Sequence, residues 1–260
     1  MSQLLAGQVA IVTGSDSGIG QATAVEFARE GAAVAINYLD DRAGAESTRH
    51  QVEAAGARAV VVQANVSKPE DVERLFARCS DELGTPTILV NNAGIDASGK
   101  RVHEMPIETW QRAIDTNLTG PFLCCRRFVR ERKERRNGAG RIINISSVHQ
   151  EIPRSGAADY DASKGGVANL TTTLALELAT ENITVNCIAP GMVLTPMNQE
   201  AIDDPQKRAE QVASIPMKRA AEPWEIARMA VYLASEDAAY VTGATMVIDG
   251  GLMLNLGQGA

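Results

Sequence analysis

The feature that most constrains this chain is a regular alternation of short apolar runs with longer segments of helical spacing. The runs are QVAIVT at 8–13, AVAIN at 33–37, RAVVVQ at 58–63, TILVN at 87–91, RIINIS at 141–146, ITVNCIA at 183–189 and ATMVID at 244–249. None has the strict polar alternation of a sheet wetted on one side, so each reads as a strand buried on both faces. Between them apolar residues recur every three or four positions, as at Ala22, Val25, Phe27 and Ala28 before Gly31, and at Val72, Leu75, Phe76, Cys79 and Leu83 before Gly84. Parallel strands need a right-handed crossover, which an intervening helix supplies. The pattern predicts an α/β fold: a doubly wound parallel sheet of about seven strands, with helices on both faces and a ligand crevice outside the strands' carboxyl ends.

With 260 residues, 45% of them hydrophobic, and no linker, charge block or repeat, the chain is expected to form a single domain over 1–260. A formal charge of -7 argues against nucleic acid as a partner, because phosphate neutralisation needs a basic surface. The cluster Arg126, Arg127, Arg130, Arg132, Lys133, Arg135 and Arg136 reads as a solvated helix end. Cys79, Cys124, Cys125 and Cys187 form no CxxC pair and are expected to be reduced and mostly buried, and no metal site is expected. No apolar stretch approaches the ~20 residues that span a bilayer, and no leader pattern precedes the first strand. The expectation is a cytoplasmic protein without membrane contact.

The first run passes into Thr13-Gly14-Ser15-Asp16-Ser17-Gly18-Ile19-Gly20 at the start of a helical segment. Glycines at such a turn let backbone N–H groups and a helix N-terminus approach a pyrophosphate with no Cβ in the way. This predicts a Rossmann-type dinucleotide site in which Gly14, Ser15, Asp16, Ser17, Gly18, Ile19 and Gly20 meet the cofactor. No Gly-Lys-Ser/Thr ending follows, which disfavours a nucleoside triphosphatase loop. The second run ends in Asn37-Tyr38-Leu39-Asp40-Asp41-Arg42, where the adenosine ribose is read. Asp16, Asp40 and Asp41 tilt the reading toward NAD, while Arg42 keeps NADP open; Tyr38 and Leu39 hold the discriminating positions. After the third run come Asn65 and Val66, where Asn65 either bonds the adenine or caps its own loop. The fourth ends in Asn91-Asn92-Ala93-Gly94, small and amide residues suited to a ligand passing close to the backbone.

Asp159-Tyr160-Asp161-Ala162-Ser163-Lys164 opens a long apolar helix, with Tyr160 and Lys164 on one face at i and i+4. An ammonium beside a phenol is expected to bring its pKa of about 10 closer to working pH. Alcohol oxidation needs such a group: as hydride leaves carbon the hydroxyl proton must reach a base, and in reverse the same group is the acid. Upstream, Ser146 and Ser147 end a strand at the same sheet edge, where a hydroxyl can hold the substrate oxygen. Downstream, Pro190-Gly191-Met192-Val193-Leu194-Thr195 offers backbone groups and a hydroxyl to a nicotinamide carboxamide.

In order, Thr13-Gly-x-x-x-Gly-Ile-Gly20, Asn91-Asn-Ala-Gly94, Asn117, Ser147, Tyr160-x-x-x-Lys164 and Pro190-Gly191 resemble the short-chain dehydrogenase/reductase family over nearly the whole chain. The resemblance implies that Ser147 binds substrate, Tyr160 is the acid/base, Lys164 holds the nicotinamide ribose and lowers the tyrosine pKa, and Asn117 anchors a water in the proton path. IDTNLTGPFL, ISSVHQEIP, ASKGG, PGMVLTPMN and YVTGATMVIDGG carry a narrower likeness to the bacterial glucose 1-dehydrogenases of that family, which oxidise a sugar C1 hydroxyl with NAD or NADP. Leu39 stands where those enzymes carry an arginine suited to the NADP phosphate. A polyol needs polar pocket groups, and Asp96, His149, Gln150, Glu151 and Asn198 fall on the loops expected to line the pocket. Asp249-Gly250-Gly251 resembles the family's tetramer-forming end, which implies a homotetramer, with the tail Gly257 to Ala260 near a neighbouring subunit's site. The expected function is hydride transfer between NAD(P) and a small hydroxyl or carbonyl substrate, a sugar by the narrower likeness. A 3-oxoacyl or small-ketone reductase is the alternative, and a non-catalytic dinucleotide sensor the alternative of another class.

Overall fold

Each apolar run becomes a strand: β1 (Val9–Val12), β2 (Ala33–Tyr38), β3 (Ala59–Gln63), β4 (Ile88–Asn91), β5 (Gly140–Ile145), β6 (Ile183–Pro190) and β7 (Thr245–Ile248). In the computed structural model, which describes residues 3–134 and 138–255, they form one parallel sheet of order β3-β2-β1-β4-β5-β6-β7. The crossovers are α1 (Gly18–Arg29), α2 (Arg42–Ala54), α3 (Pro69–Glu82), α4 (Ile107–Ile114), α5 (Gly120–Glu134), α6 (Ala158–Leu178), α7 (Gln199–Asp203), α8 (Pro205–Val212) and α9 (Pro223–Ala234). Proline opens α3, α8 and α9, where its missing N–H would have no intrahelical partner anyway.

Alternate side chains along each strand feed two separate cores. Val12, Ile88 and Ile143 pack with Phe27 of α1 and Ile226 and Leu233 of α9. Ile11, Leu89 and Ile142 pack with Phe76 of α3, Phe128 of α5 and Leu178 of α6. Burying each such side chain contributes about 1.5–3 kcal/mol, which is why neither face tolerates polar alternation. All four cysteines are free and buried, and burial pushes the Cys125 thiol up to about 12, so it is no thiolate at neutral pH. In the basic cluster, Arg127 pairs with Glu73 and Glu131 and lies over the Phe76 ring, and Lys133 pairs with Glu181. Arg135, Arg136 and the tail from Gly257 lie outside the described residues. No helix among the described residues is long and apolar enough to cross a membrane.

Strand order reverses between β1 and β4, so the connections leaving their carboxyl ends diverge and open a crevice there. α4 and α5 are joined without a break by a five-residue π-helical turn, Asp115–Thr119, which carries Asn117. Between β6 and α9, α7 and α8 make an excursion that brings Asn198 and Gln211 to the same crevice.

Candidate active site

Where the ladder of β1 stops, side chains take over its backbone bonding. Thr13 Oγ1 accepts from the Asn92 and Ala93 N–H groups, both at 3.0 Å, and Asn92 Nδ2 donates to the carbonyls of Thr13 at 2.9 Å and Gly14 at 2.8 Å. Gly14 N donates to Asn37 Oδ1 at 3.1 Å, and Asn37 Nδ2 donates to Ala64 O at 2.9 Å. These ties join the ends of four strands. Gly14 has a φ of +58°, and a Cβ there would lie 2.8 Å from Ala93 Cα; a Cβ on Gly20 would lie 2.2 Å from Gly14 O. No side chain caps the first turn of α1, and Ser17, Gly18 and Ile19 line a cleft of about 790 Å³ at the crevice. Uncapped N–H groups at the positive end of a helix dipole fit a pyrophosphate.

The other residues expected at this end divide. Asp16, Asn92, Ala93, Gly94, Pro190, Gly191, Val193 and Thr195 line the cleft, with Thr195 Cγ2 only 3.1 Å from where a Gly18 Cβ would be. Ser15 does not: it is buried beneath the turn, its hydroxyl donating to Val12 O at 2.8 Å. Tyr38 is buried, Leu39 is half exposed, and Val66 lies against Gly120. Of the two readings of Asn65, the loop cap is observed, its Oδ1 accepting from Ser67 N at 3.0 Å and Ser67 Oγ at 2.8 Å. Burial, with Asp41 and Asp40 nearby, raises the Asp16 carboxyl above its ordinary pKa. Arg42 points to Glu46, 4.0 Å away.

The opposite wall comes from the end of β5 and the start of α6. Ser147 opens a short turn, its Oγ accepting from His149 N at 3.1 Å, and it lines the cleft with Tyr160, whose phenol pKa it lowers. Lys164 Nζ donates to Ile145 O at 2.9 Å and stands 5.5 Å from the Tyr160 ring centre. Ser146 is committed elsewhere, donating to Lys164 O at 3.0 Å. Asn117 lies just behind: its Oδ1 accepts from Ile95 N at 2.8 Å, and its Nδ2 donates to Ile95 O at 3.0 Å and Ser163 Oγ at 3.1 Å. The π-turn thereby fastens the chain after β4 to α6.

Desolvation governs the two titrating groups. Burial pushes the Tyr160 phenol up to about 12, with the nearby Ser147 hydroxyl offsetting part of the rise. Burial drives the Lys164 ammonium itself down to about 8. Both shifts favour the neutral forms.

Of the loop residues expected to face substrate, Asp96, His149 and Asn198 line the cleft, while Gln150 and Glu151 do not. Gln150 meets Cys187 Sγ at 3.8 Å and Glu151 Oε1 at 3.3 Å, turned away by the short 3-10 turn. His149 Nδ1 is 2.8 Å from Ile152 O, and Asn198 Nδ2 donates to Val193 O at 2.8 Å. Sequence reasoning missed Arg154, Met192, Met197 and Leu252, which also line the cleft. It passed over Asn37 too, whose signal was a lone amide closing an otherwise apolar run.

A helix end ready for an anion and a Ser/Tyr/Lys cluster, facing one cleft at the switch point of a parallel sheet, define the class as a dinucleotide-dependent oxidoreductase. Residues 13–253 match the family model described as enoyl-(acyl carrier protein) reductase. The chain belongs to the short-chain dehydrogenase/reductase family, whose members use NAD or NADP, and it is an oxidoreductase acting on CH–OH groups. It is 43% identical to glucose 1-dehydrogenase 2 of Bacillus subtilis over 96% of both chains. It is 47% identical to 3beta-hydroxysteroid dehydrogenase 1 of Eggerthella lenta over 98% of both. A crystal structure from Agrobacterium tumefaciens with bound NADP matches with a TM-score of 0.87 at 32% identity, covering 97% of this chain and 99% of that one.

Proposed function

We propose that the protein oxidises a hydroxyl of a neutral polyol, a sugar first of all, with NAD as the preferred cofactor, and that residues 1–260 act as one catalytic domain. The observation that carries this reading is a single cleft lined both by Ser147, Tyr160 and Lys164 and by the uncapped end of α1. When bound, the nicotinamide supplies the hydride acceptor or donor. The turn from Gly14 to Gly20 would hold the pyrophosphate, and Asn92, Gly94, Gly191, Val193 and Thr195 would flank the nicotinamide ribose and ring. Ser147 holds the substrate oxygen, Tyr160 accepts its proton in oxidation and returns it in reduction, and Lys164 holds the ribose. Asn117 positions Ile95 and anchors a water in the proton path. Asp16, Asp40 and Asp41 give the adenosine end a negative field that disfavours a 2′-phosphate, while Arg42 is turned toward Glu46.

A second reading has its own support. Met192, Met197 and Leu252 give the cleft an apolar wall, which suits a ketone or alcohol with an apolar body, such as a 3-oxoacyl chain or a steroid of the kind named for the Eggerthella lenta relative. We place the protein in the cytoplasm as a homotetramer, β7 lying at one edge of the sheet with Val247 exposed on it.

Tyr160→Phe tests the assignment: turnover is expected to fall about 10²- to 10⁴-fold while NADH titration by fluorescence still reports binding. Near-normal turnover in that variant removes Tyr160 from the proton path.

A further inference from the structure

We propose that Arg154, paired with Asp96, reads adjacent hydroxyls of a neutral polyol and so sets substrate specificity, an inference that rests on the polyol reading above. Arg154 and Lys164 are the only lysine or arginine residues among the described residues lining the cleft, and Lys164 is buried and bonded to Ile145 O. Arg154 is fixed at its root, its backbone N donating to Asp161 Oδ2 at 2.8 Å. Its guanidinium is much less constrained. Nη2 lies 3.3 Å from Asp96 Oδ1, and the two side chains are 48% and 44% exposed. Charge-assisted bonds of this kind are ordinarily nearer 2.7–2.9 Å, and half-exposed pairs are weak, so a substrate opens this one at little cost.

The pair joins the loop after β4 to the segment before α6 in the cleft that Tyr160 also lines. Both members also act on the Tyr160 phenol, Asp96 raising its pKa and Arg154 lowering it, which places their charges close to the reacting proton. Opened, the pair presents an acceptor beside a fork of donors. Two neighbouring hydroxyls satisfy both at once, one donating to Asp96 and the other accepting from Arg154. A carboxylate satisfies only Arg154 and meets the like charge of Asp96, so an acid sugar is the poorer ligand. An apolar alcohol leaves both groups without a partner, which a polar site penalises.

The test compares kcat/KM for D-glucose, D-gluconate and cyclohexanol at one saturating NAD concentration. Arg154→Met is expected to lower the glucose-to-cyclohexanol ratio about 10- to 100-fold, with Arg154→Lys intermediate because it keeps the charge and loses the fork. Asp96→Asn is expected to lower the glucose-to-gluconate ratio about tenfold, since the freed guanidinium then takes a carboxylate. Ratios are internal to each preparation, so a partly inactive variant leaves them unaltered. If Arg154→Met slows glucose and cyclohexanol by the same factor, Arg154 reads no hydroxyl and the inference falls. If the unsubstituted enzyme oxidises cyclohexanol but no aldose or alditol, the polyol reading itself fails, a result obtained before any variant is made.

Discussion

The two ends of the cleft are built by opposite means. At the dinucleotide end, Thr13, Asn37 and Asn92 bond buried backbone groups at 2.8–3.1 Å, and Gly14 and Gly20 sit where a single methyl would strike the chain. At the substrate end the comparable tie is a 3.3 Å pair between half-exposed side chains, on loops that a short helical excursion overhangs. The first end is inseparable from the sheet, because its polar ties finish the ladder. The second hangs on connections that have only a small core of their own, Val212, Ile215 and Ala220 packed with Met192, Leu194 and Leu252. Cofactor binding therefore comes with the fold, whereas substrate choice rests on side chains held by these connections.

This contrast is open to attack at graded strength. Gly20→Ala drives a Cβ into the Gly14 carbonyl, and the overpacking is expected to cost about 1–3 kcal/mol or more, seen as a lower melting temperature and lost NADH binding. Retained stability in that variant would show the turn to be as adaptable as the substrate loops. Ser147→Ala removes a donor from the reacting oxygen and is expected to slow turnover about 10²- to 10³-fold. It also has a pH signature. The Ser147 hydroxyl lowers the phenol pKa, so its loss lets burial raise that pKa further. The phenolate needed for oxidation then appears at higher pH, and the rising limb of the oxidation profile moves to alkaline pH; a shift the other way contradicts the assignment. Asp16→Asn is the mildest, expected to raise the NADP-to-NAD ratio of kcat/KM about fivefold by removing one carboxylate from the adenosine end. An unchanged ratio would take Asp16 out of cofactor selection.

The sequence revealed the contrast unevenly, for physical reasons. A parallel sheet buried on both faces leaves unbroken apolar runs, so β1 to β7 were visible within a residue or two. The glycine turn and the Tyr160/Lys164 pair were visible because both are local patterns. Arg154 and Asp96 are 58 positions apart, and nothing in either neighbourhood announces the other. The burial that raises the Tyr160 phenol was not legible, because spacing on a helix records which groups share a face and says nothing about how deeply water is excluded. Gln150 and Glu151 were placed by proximity to Ser147, and the tight turn after that serine rotates them out.

The π-turn at Asp115–Thr119 is the imprint that one added residue leaves in an otherwise continuous helix. Because the wider turn absorbs that residue, excising a single one there would restore regular winding and leave the helix beyond it facing as before. Phe128 would keep its seat in the core, while Asn117, inside the turn itself, would lose the placement that reaches Ile95 and Ser163. An irregularity in winding is thus what lets one helix serve two masters, a greasy seat at one end and an amide clasp beside the reacting tyrosine at the other. What the turn contributes lies in its count of residues, which a variant shortened by one would lose.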